Sequence, residues 1–260
     1  MDLGLSGRVA LISGASKGIG RATALALTAE GMDVTLVARN RGELEKVRAE
    51  IVAKGRRALV QAGDLKDAAV AQAAIDATIK EFGRLDLLVN NAGATKGGSL
   101  LTLSDEDWRD GFELKFFTAM RLARLAWPHL KASKGGIVNI AGVQGRTGAS
   151  DFIAVGAVNA AFLLATKSMA DMGVADGVRV NAINPGTIET GRLKARIDRY
   201  VAANKVTPEQ AYEALRNEER VARFGKPEEV GALIATVASR PLEFLHGAII
   251  EFDGGKTRAL

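Results

Sequence analysis

The stretch Arg8-Val9-Ala10-Leu11-Ile12-Ser13-Gly14-Ala15-Ser16-Lys17-Gly18-Ile19-Gly20 decides the fold. Arg8–Ser13 is a short, β-branched-rich apolar run that reads as a buried strand. It stops at a turn with glycine at 14, 18 and 20, and Gly18–Glu30 then takes up a helical pattern. Gly14 suits a tight turn, Gly18 lets backbone approach a pyrophosphate, and Gly20 allows close packing behind it. The free N–H groups of the helix N-terminus then face the anion.

Outward from this stretch, strands and helices alternate to the end of the chain. Strands are expected at Asp33–Ala38, Ala58–Ala62, Leu85–Asn90, Gly136–Ala141, Val178–Asn184 and Ala248–Glu251. Helices are expected at Glu43–Lys54, Asp67–Phe82, Ser104–Lys131, Ser150–Met172 and Lys226–Ser239. With right-handed crossovers, this alternation implies an α/β fold: a three-layer, doubly wound, parallel seven-stranded sheet of Rossmann type, in one domain over residues 1–260. Thr187–Arg220 interrupts the alternation. It is charged, reads as two helices, and follows the C-terminal end of a strand, so it is a candidate substrate lid over the ligand crevice.

The second strand ends in Arg39-Asn40. An NAD site would carry an acid there for the ribose 2′-hydroxyl, whereas Arg accommodates a 2′-phosphate. Lys17 in the glycine turn adds a second positive charge, and the two together point to NADP(H) rather than to a pair of solvated surface cations.

The chain has 260 residues, 47% hydrophobic and 25% charged, with a formal net charge of +5. Lys and Arg are interspersed with acids, unlike the concentrated basic patch of a nucleic-acid binder. No cysteine is present, which excludes disulfides and thiolate sites and fits a reducing, cytoplasmic setting. Met1–Gly7 lacks the features of a signal peptide, no apolar run reads as long enough to span a membrane, and no residues have metal-ligand spacing.

With these features in place, the chain resembles the short-chain dehydrogenase/reductase family from about Leu5 to Gly255. Further marks are Asp64-Leu65, Asn90-Asn91-Ala92-Gly93, Asn181 to Thr190 with Pro185-Gly186, Phe224-Gly225-Lys226-Pro227-Glu228-Glu229 and Asp253-Gly254-Gly255. The resemblance implies cofactor contacts from Gly14, Ser16, Lys17, Gly18, Ile19, Gly20, Arg39, Asn40, Asp64, Leu65, Asn91, Ala92, Gly93, Asn159, Pro185, Gly186, Ile188 and Thr190. Asn90 and Asp253 are equally readable as loop ties. The resemblance also implies a homo-oligomer, a tetramer or dimer, in which the helices at Ser104–Lys131 and Ser150–Met172 pair across two-fold axes. Gly156, Ala157, Ala160 and Ala161 would allow a close helix approach, or would pack within one chain.

The family's chemistry uses a Ser, a Tyr, a Lys one helical turn later, and an Asn in the preceding long helix. The matching positions here hold Gly142, Val155, Asn159 and Lys115. The only two tyrosines, Tyr200 and Tyr212, lie in the candidate lid. Asn159 can still hydrogen-bond a ribose hydroxyl. Two substitutes are candidates. Lys115 titrates near neutrality or pairs with an acidic substrate group if it is buried; otherwise it points outward or neutralises Asp151 or Glu113. Asp151, with Val155 and Asn159, would share a helix face and act as an acid, or it caps the helix start. Gln144, Arg146 and Lys96 are possible anion contacts or plain surface residues, and His129 and His246 read as structural. Two functions follow: an NADP(H) oxidoreductase acting on an activated acceptor (an iminium, a quinone or a conjugated alkene or carbonyl), or a non-catalytic NADP(H) sensor or partner subunit.

Overall fold

The computed structural model describes residues 2–258; Met1, Ala259 and Leu260 lie outside the described residues, and with them part of the Met1–Gly7 reading and both ends of the 1–260 domain. Seven strands form one parallel sheet: β1 (Val9–Ser13), β2 (Asp33–Ala38), β3 (Ala58–Ala62), β4 (Leu87–Asn90), β5 (Gly136–Ile140), β6 (Arg179–Pro185) and β7 (Ile249–Phe252), in the order β3-β2-β1-β4-β5-β6-β7. The order reverses between β1 and β4, the switch point at which doubly wound sheets open a ligand crevice.

Alternate side chains of the strands feed two apolar layers. Ala10, Ile12, Val34 and Leu36 pack with α1 (Gly18–Ala29), α2 (Arg41–Val52) and α9 (Pro227–Ala238). Leu11, Val37, Leu88 and Ile137 pack on the other face with α3 (Ala68–Phe82) and α5 (Thr118–Ser133). Every residue of β1 is buried, and each Leu or Ile side chain taken fully out of water contributes about 1.5–3 kcal/mol. Side-chain caps set the helix starts: Asn40 accepts the Glu43 N–H and Asp67 accepts the Ala69 N–H.

Three expectations need correction. The long helix expected over Ser104–Lys131 is divided into α4 (Asp105–Gly111), one turn of π-helix at Phe112–Phe117, and α5. The Thr118 N–H reaches the Glu113 carbonyl, five residues back, and its hydroxyl donates to the same oxygen at 2.9 Å. The helix expected from Ser150 begins at Ile153 instead and runs to Asp176 as α6. Phe152 is held in a bridge with Gly98, whose N–H takes the Asp151 carbonyl at 2.7 Å, so these residues cannot join the helix. Finally, α6 is long and apolar enough to cross a membrane by length and composition, with a mean hydropathy of 1.5 over an 18-residue window. Here one face packs on β6 and gives Ala154, Val158, Phe162, Leu163 and Thr166 to the interior, while 39% of that window is buried in all.

The segment after β6 forms two helices, α7 (Gly191–Asn204) and α8 (Pro208–Glu219). Leu193, Leu215, Val221 and Phe224 make a small apolar centre of their own, against which Tyr200 and Tyr212 pack. Glu219 fastens this unit to the main body. Its carboxylate accepts the Thr187 hydroxyl at 2.8 Å, the Lys256 ammonium at 3.0 Å and the Arg196 guanidinium.

Candidate active site

The crevice begins where β1 and β4 end. Gly14 and Gly18 adopt φ of +71° and +55°, the left-handed region that suits glycine. A Cβ on Gly20 would stand 2.2 Å from the Gly14 carbonyl oxygen and 2.6 Å from Asn91 Nδ2, so the turn closes this tightly only around a bare backbone. Asn91 Nδ2 donates to the carbonyls of Ser13 and Gly14 at 3.0 and 3.2 Å. The Ser13 hydroxyl accepts the N–H groups of Asn91 and Ala92, both at 2.9 Å. Asn91 therefore braces the glycine turn as well as lining the crevice. Asn90 acts as a tie: its Nδ2 donates to Asn139 Oδ1 at 3.0 Å, and Asn139 donates on to Thr166. Asp253 is a tie too, accepting the N–H groups of Gly255 and Thr257.

On the adenosine side, Lys17 and Arg39 are both exposed, and neither forms an ion pair among the described residues. Two free cations at the ends of the first turn and the second strand suit a phosphate on the ribose. Asn40 spends its side-chain oxygen on the α2 cap. Asp64 is exposed, with one oxygen engaged by the Lys66 N–H. Leu65 is buried in the core, and its carbonyl accepts from Thr118 and Arg121, so any contact it makes across the crevice is short of that oxygen. Ser16 and Ile19 lie half-buried in the glycine turn, and Pro185, Gly186 and Ile188 run on from β6. Thr190 caps α7 by accepting the Arg192 N–H, and its methyl lies 3.2 Å from where a Gly18 Cβ would be, so the two loops face each other across the crevice.

On the reaction side, Gly142 follows β5, and its N–H donates to Asn184 Oδ1 at 2.8 Å. Asn159 is 2% exposed on α6, one turn after Val155. Its Nδ2 stands 3.0 Å from where a Gly142 Cβ would be, while its Oδ1 has no hydrogen-bond partner. Buried polar atoms are rarely left so; this one calls for a donor such as a ribose hydroxyl. Together with the two free cations, it makes the crevice a fit for a 2′-phosphorylated dinucleotide.

Lys115 lies in the π turn, a kind of irregularity that recurs at functional sites. Its Nζ donates to the Ala141 carbonyl at 2.8 Å, which places the ammonium beside Gly142. Burial, and with it the nearby Arg192 guanidinium, pushes it down to about 7. It neither points outward nor neutralises an acid: Glu113 pairs with Arg121 at 3.0 Å, and Asp151 is exposed on the segment before α6. With α6 starting at Ile153, Asp151 neither caps that helix nor shares the face of Val155 and Asn159.

The remaining candidates lie apart. Arg146 pairs with Glu251 at 3.2 Å and Lys96 with Asp107 at 2.9 Å. His246 accepts the Val180 N–H through Nδ1 and bonds the Ala170 carbonyl through Nε2, a structural role. Tyr212 donates to Glu189 at 3.0 Å and stacks edge-on against Phe224, and Tyr200 packs in the same apolar centre. No group of three or more His, Cys, Asp or Glu able to hold a metal occurs among the described residues.

One residue of this neighbourhood was not singled out in the sequence. Arg192, in the first turn of α7, reaches across to donate to the Gly93 carbonyl. Nothing local marks it, since the contact joins residues 99 apart.

A family model described as short chain dehydrogenase matches residues 8–200. An uncharacterized oxidoreductase of Mycobacterium tuberculosis is 36% identical over 97% of this chain and 93% of its own length. The crystal structure of L-sorbose reductase from Gluconobacter frateurii, complexed with NADPH and L-sorbose, superposes with a TM-score of 0.96 at 30% identity, covering all of both chains. An NADPH-bound short chain oxidoreductase from Pseudomonas aeruginosa PAO1, described as containing an atypical catalytic center, matches at 28% identity and a TM-score of 0.90, over 97% of this chain and 98% of its own. The chain belongs to the short-chain dehydrogenase family.

Proposed function

We propose that this protein is an NADP(H)-dependent oxidoreductase with an atypical reaction centre, in which Gly142, Val155 and Asn159 stand where the family has Ser, Tyr and Lys, and Lys115 supplies the missing proton. The observation that carries the reading is the Lys115 ammonium, hydrogen-bonded beside Gly142 and brought to about 7 by burial. The chain binds NADP(H). Its 2′-phosphate is held by Arg39 and Lys17, its pyrophosphate by the turn from Gly14 to Gly20, and a nicotinamide-side ribose hydroxyl by Asn159 Oδ1. When bound, NADPH supplies a hydride.

The chain's own residues do the rest. Val155 has no proton to give, and Gly142 has no side chain to polarise a carbonyl. A positioned acid contributes typically 10²–10⁴-fold, so with no proton at Val155 the donor is Lys115, and an acceptor that depends less on a strong acid is preferred over a plain ketone. Lys115 can donate a proton to the atom that gains negative charge and be reprotonated from solvent near neutral pH. A quinone or a conjugated alkene or carbonyl spreads the negative charge it gains, and an iminium gains none, so each of these acceptors suits a centre without a hydroxyl. The two-helix segment at 187–220, fastened through Glu219, serves as the lid that excludes water.

Assembly as a homo-oligomer, a tetramer or dimer, fits the exposed apolar side chains of α6, Leu164, Met172 and Val174, although Gly156 packs within the chain, against the Gln144 carbonyl. The test of the activity is oxidation of NADPH by the purified protein with one acceptor from each class, alongside Lys115→Met. Turnover that falls at least tenfold in the variant is expected. NADPH binding with no turnover on any acceptor class would replace this reading with the sensor or partner-subunit one.

A further inference from the structure

Two cations converge on the reaction end of the crevice, and no acid answers them. Lys115 reaches in from the π turn and has the Ala141 carbonyl as its hydrogen-bond acceptor. Arg192 reaches in from α7 on the opposite wall and has the Gly93 carbonyl. Arg192 is an exposed residue overall, but its guanidinium end is desolvated enough to be lowered from its ordinary value. Neither forms an ion pair among the described residues. The acids nearest in sequence are committed elsewhere: Glu113 to Arg121, Glu189 to the Tyr212 hydroxyl, and Asp198 to Lys194. Carbonyl oxygens satisfy the hydrogen-bonding of such groups without neutralising their charge. Two like charges held close in a part-desolvated crevice repel, and an oxyanion placed between them removes that cost.

We propose that Lys115 and Arg192 together form an oxyanion site at the reaction end of the crevice, so that the acceptor reduced here carries a carboxylate or phosphate group. This rests on the proposed oxidoreductase reading for what happens to the acceptor, but not for its binding. The guanidinium fork suits two-point recognition of an oxyanion, with the ammonium as a point charge on the other side.

The measurement is calorimetric titration of the NADP⁺-saturated protein with benzoate, inorganic phosphate and the neutral control benzamide, for the unaltered chain, Arg192→Gln, Arg192→Lys and Lys115→Met. A charge-assisted hydrogen bond is worth ~1.5–3 kcal/mol, which is about 10–100-fold in Kd. We expect benzoate or phosphate to bind at least tenfold tighter than benzamide, Arg192→Gln and Lys115→Met each to lose at least tenfold, Arg192→Lys to recover part of the loss, and NADPH affinity to stay within about threefold. Benzamide binding as well as both anions would overturn the proposal. So would a tenfold loss of NADPH affinity in Arg192→Gln with anion binding unchanged, which would assign the pair to the coenzyme's own phosphates. Because binding is read without turnover, a protein inactive on every acceptor leaves this test intact.

Discussion

Replacing Lys115 with Met should make the protein more stable, and more so in acid than in base. Lys115 lies at about 7 in the folded chain, against an ordinary value of 10.5. The folded state thus prefers the neutral amine, while the unfolded chain holds its proton until about pH 10.5. Between these two values the unfolded state binds more protons, so stability rises with pH; below about 7 both states are protonated and the penalty on the fold is at its full extent. One pKa unit is about 1.36 kcal/mol, and the two titration curves give a penalty larger by about 2–3 kcal/mol at pH 6 than at pH 9. Methionine has similar length and no charge, so Lys115→Met removes the penalty at both pH values at the cost of the bond to Ala141, about 1 kcal/mol. Urea unfolding of both chains at fixed concentration, at pH 6 and pH 9, reads the difference directly. An equal effect of the substitution at the two pH values would refute the desolvated lysine, and with it the proton donor proposed above.

Three further outcomes follow from the same geometry. The rate of acceptor reduction should fall as pH rises through about 7, because the proton Lys115 donates is then lost, and Lys115→Met should abolish that dependence in a pH–rate profile. Arg39→Asp should weaken NADPH binding by about 10–100-fold and NADH binding much less, measured by fluorescence titration, with unfolding unchanged because Arg39 is exposed and makes no ion pair. Glu219→Gln should destabilise the chain by about 3 kcal/mol in urea, since it leaves Arg196 and Lys256 facing an uncharged partner. The Glu219 carboxyl is held below its usual range despite its burial, so the stability it confers is present above about pH 4.5 and is lost as pH falls, and the variant should lack that acid-side loss.

The strands were legible because the inner strands of a doubly wound sheet are buried on both faces and read as largely apolar runs between polar turns, and the half-buried edge strand β3 keeps enough of that pattern; β2 and β3 match residue for residue. The two-helix segment after β6 was legible from its charge and amphipathic spacing. The boundaries that slipped depend on tertiary contacts. Ser150–Phe152 has nothing against helix locally, but Gly98, some fifty residues away in sequence, takes the Asp151 carbonyl and bridges Phe152, and the helix starts only after them. The π turn that aims Lys115 depends on one bond to a carbonyl five residues back instead of four, for which composition has no signature. The proposal that Gly142, Val155 and Asn159 stand at the family's Ser, Tyr and Lys places comes from the resemblance and the spacing of the residues around them. The contacts beside them could not be read from sequence: that Lys115 meets Ala141, and that Arg192 crosses to Gly93, are facts of packing between distant segments.

The fit between Asn159 and the bare backbone at Gly142 has a consequence for any side chain introduced there. A methylene at position 142 would stand 3.0 Å from the Asn159 amide nitrogen, closer than most such neighbours tolerate. A side chain placed at 142 therefore requires the Asn159 amide, the rotatable end of its side chain, to give way by a few tenths of an ångström, so the two positions depend on each other. A substitution at one of them is thus read together with the rotamer adopted at the other.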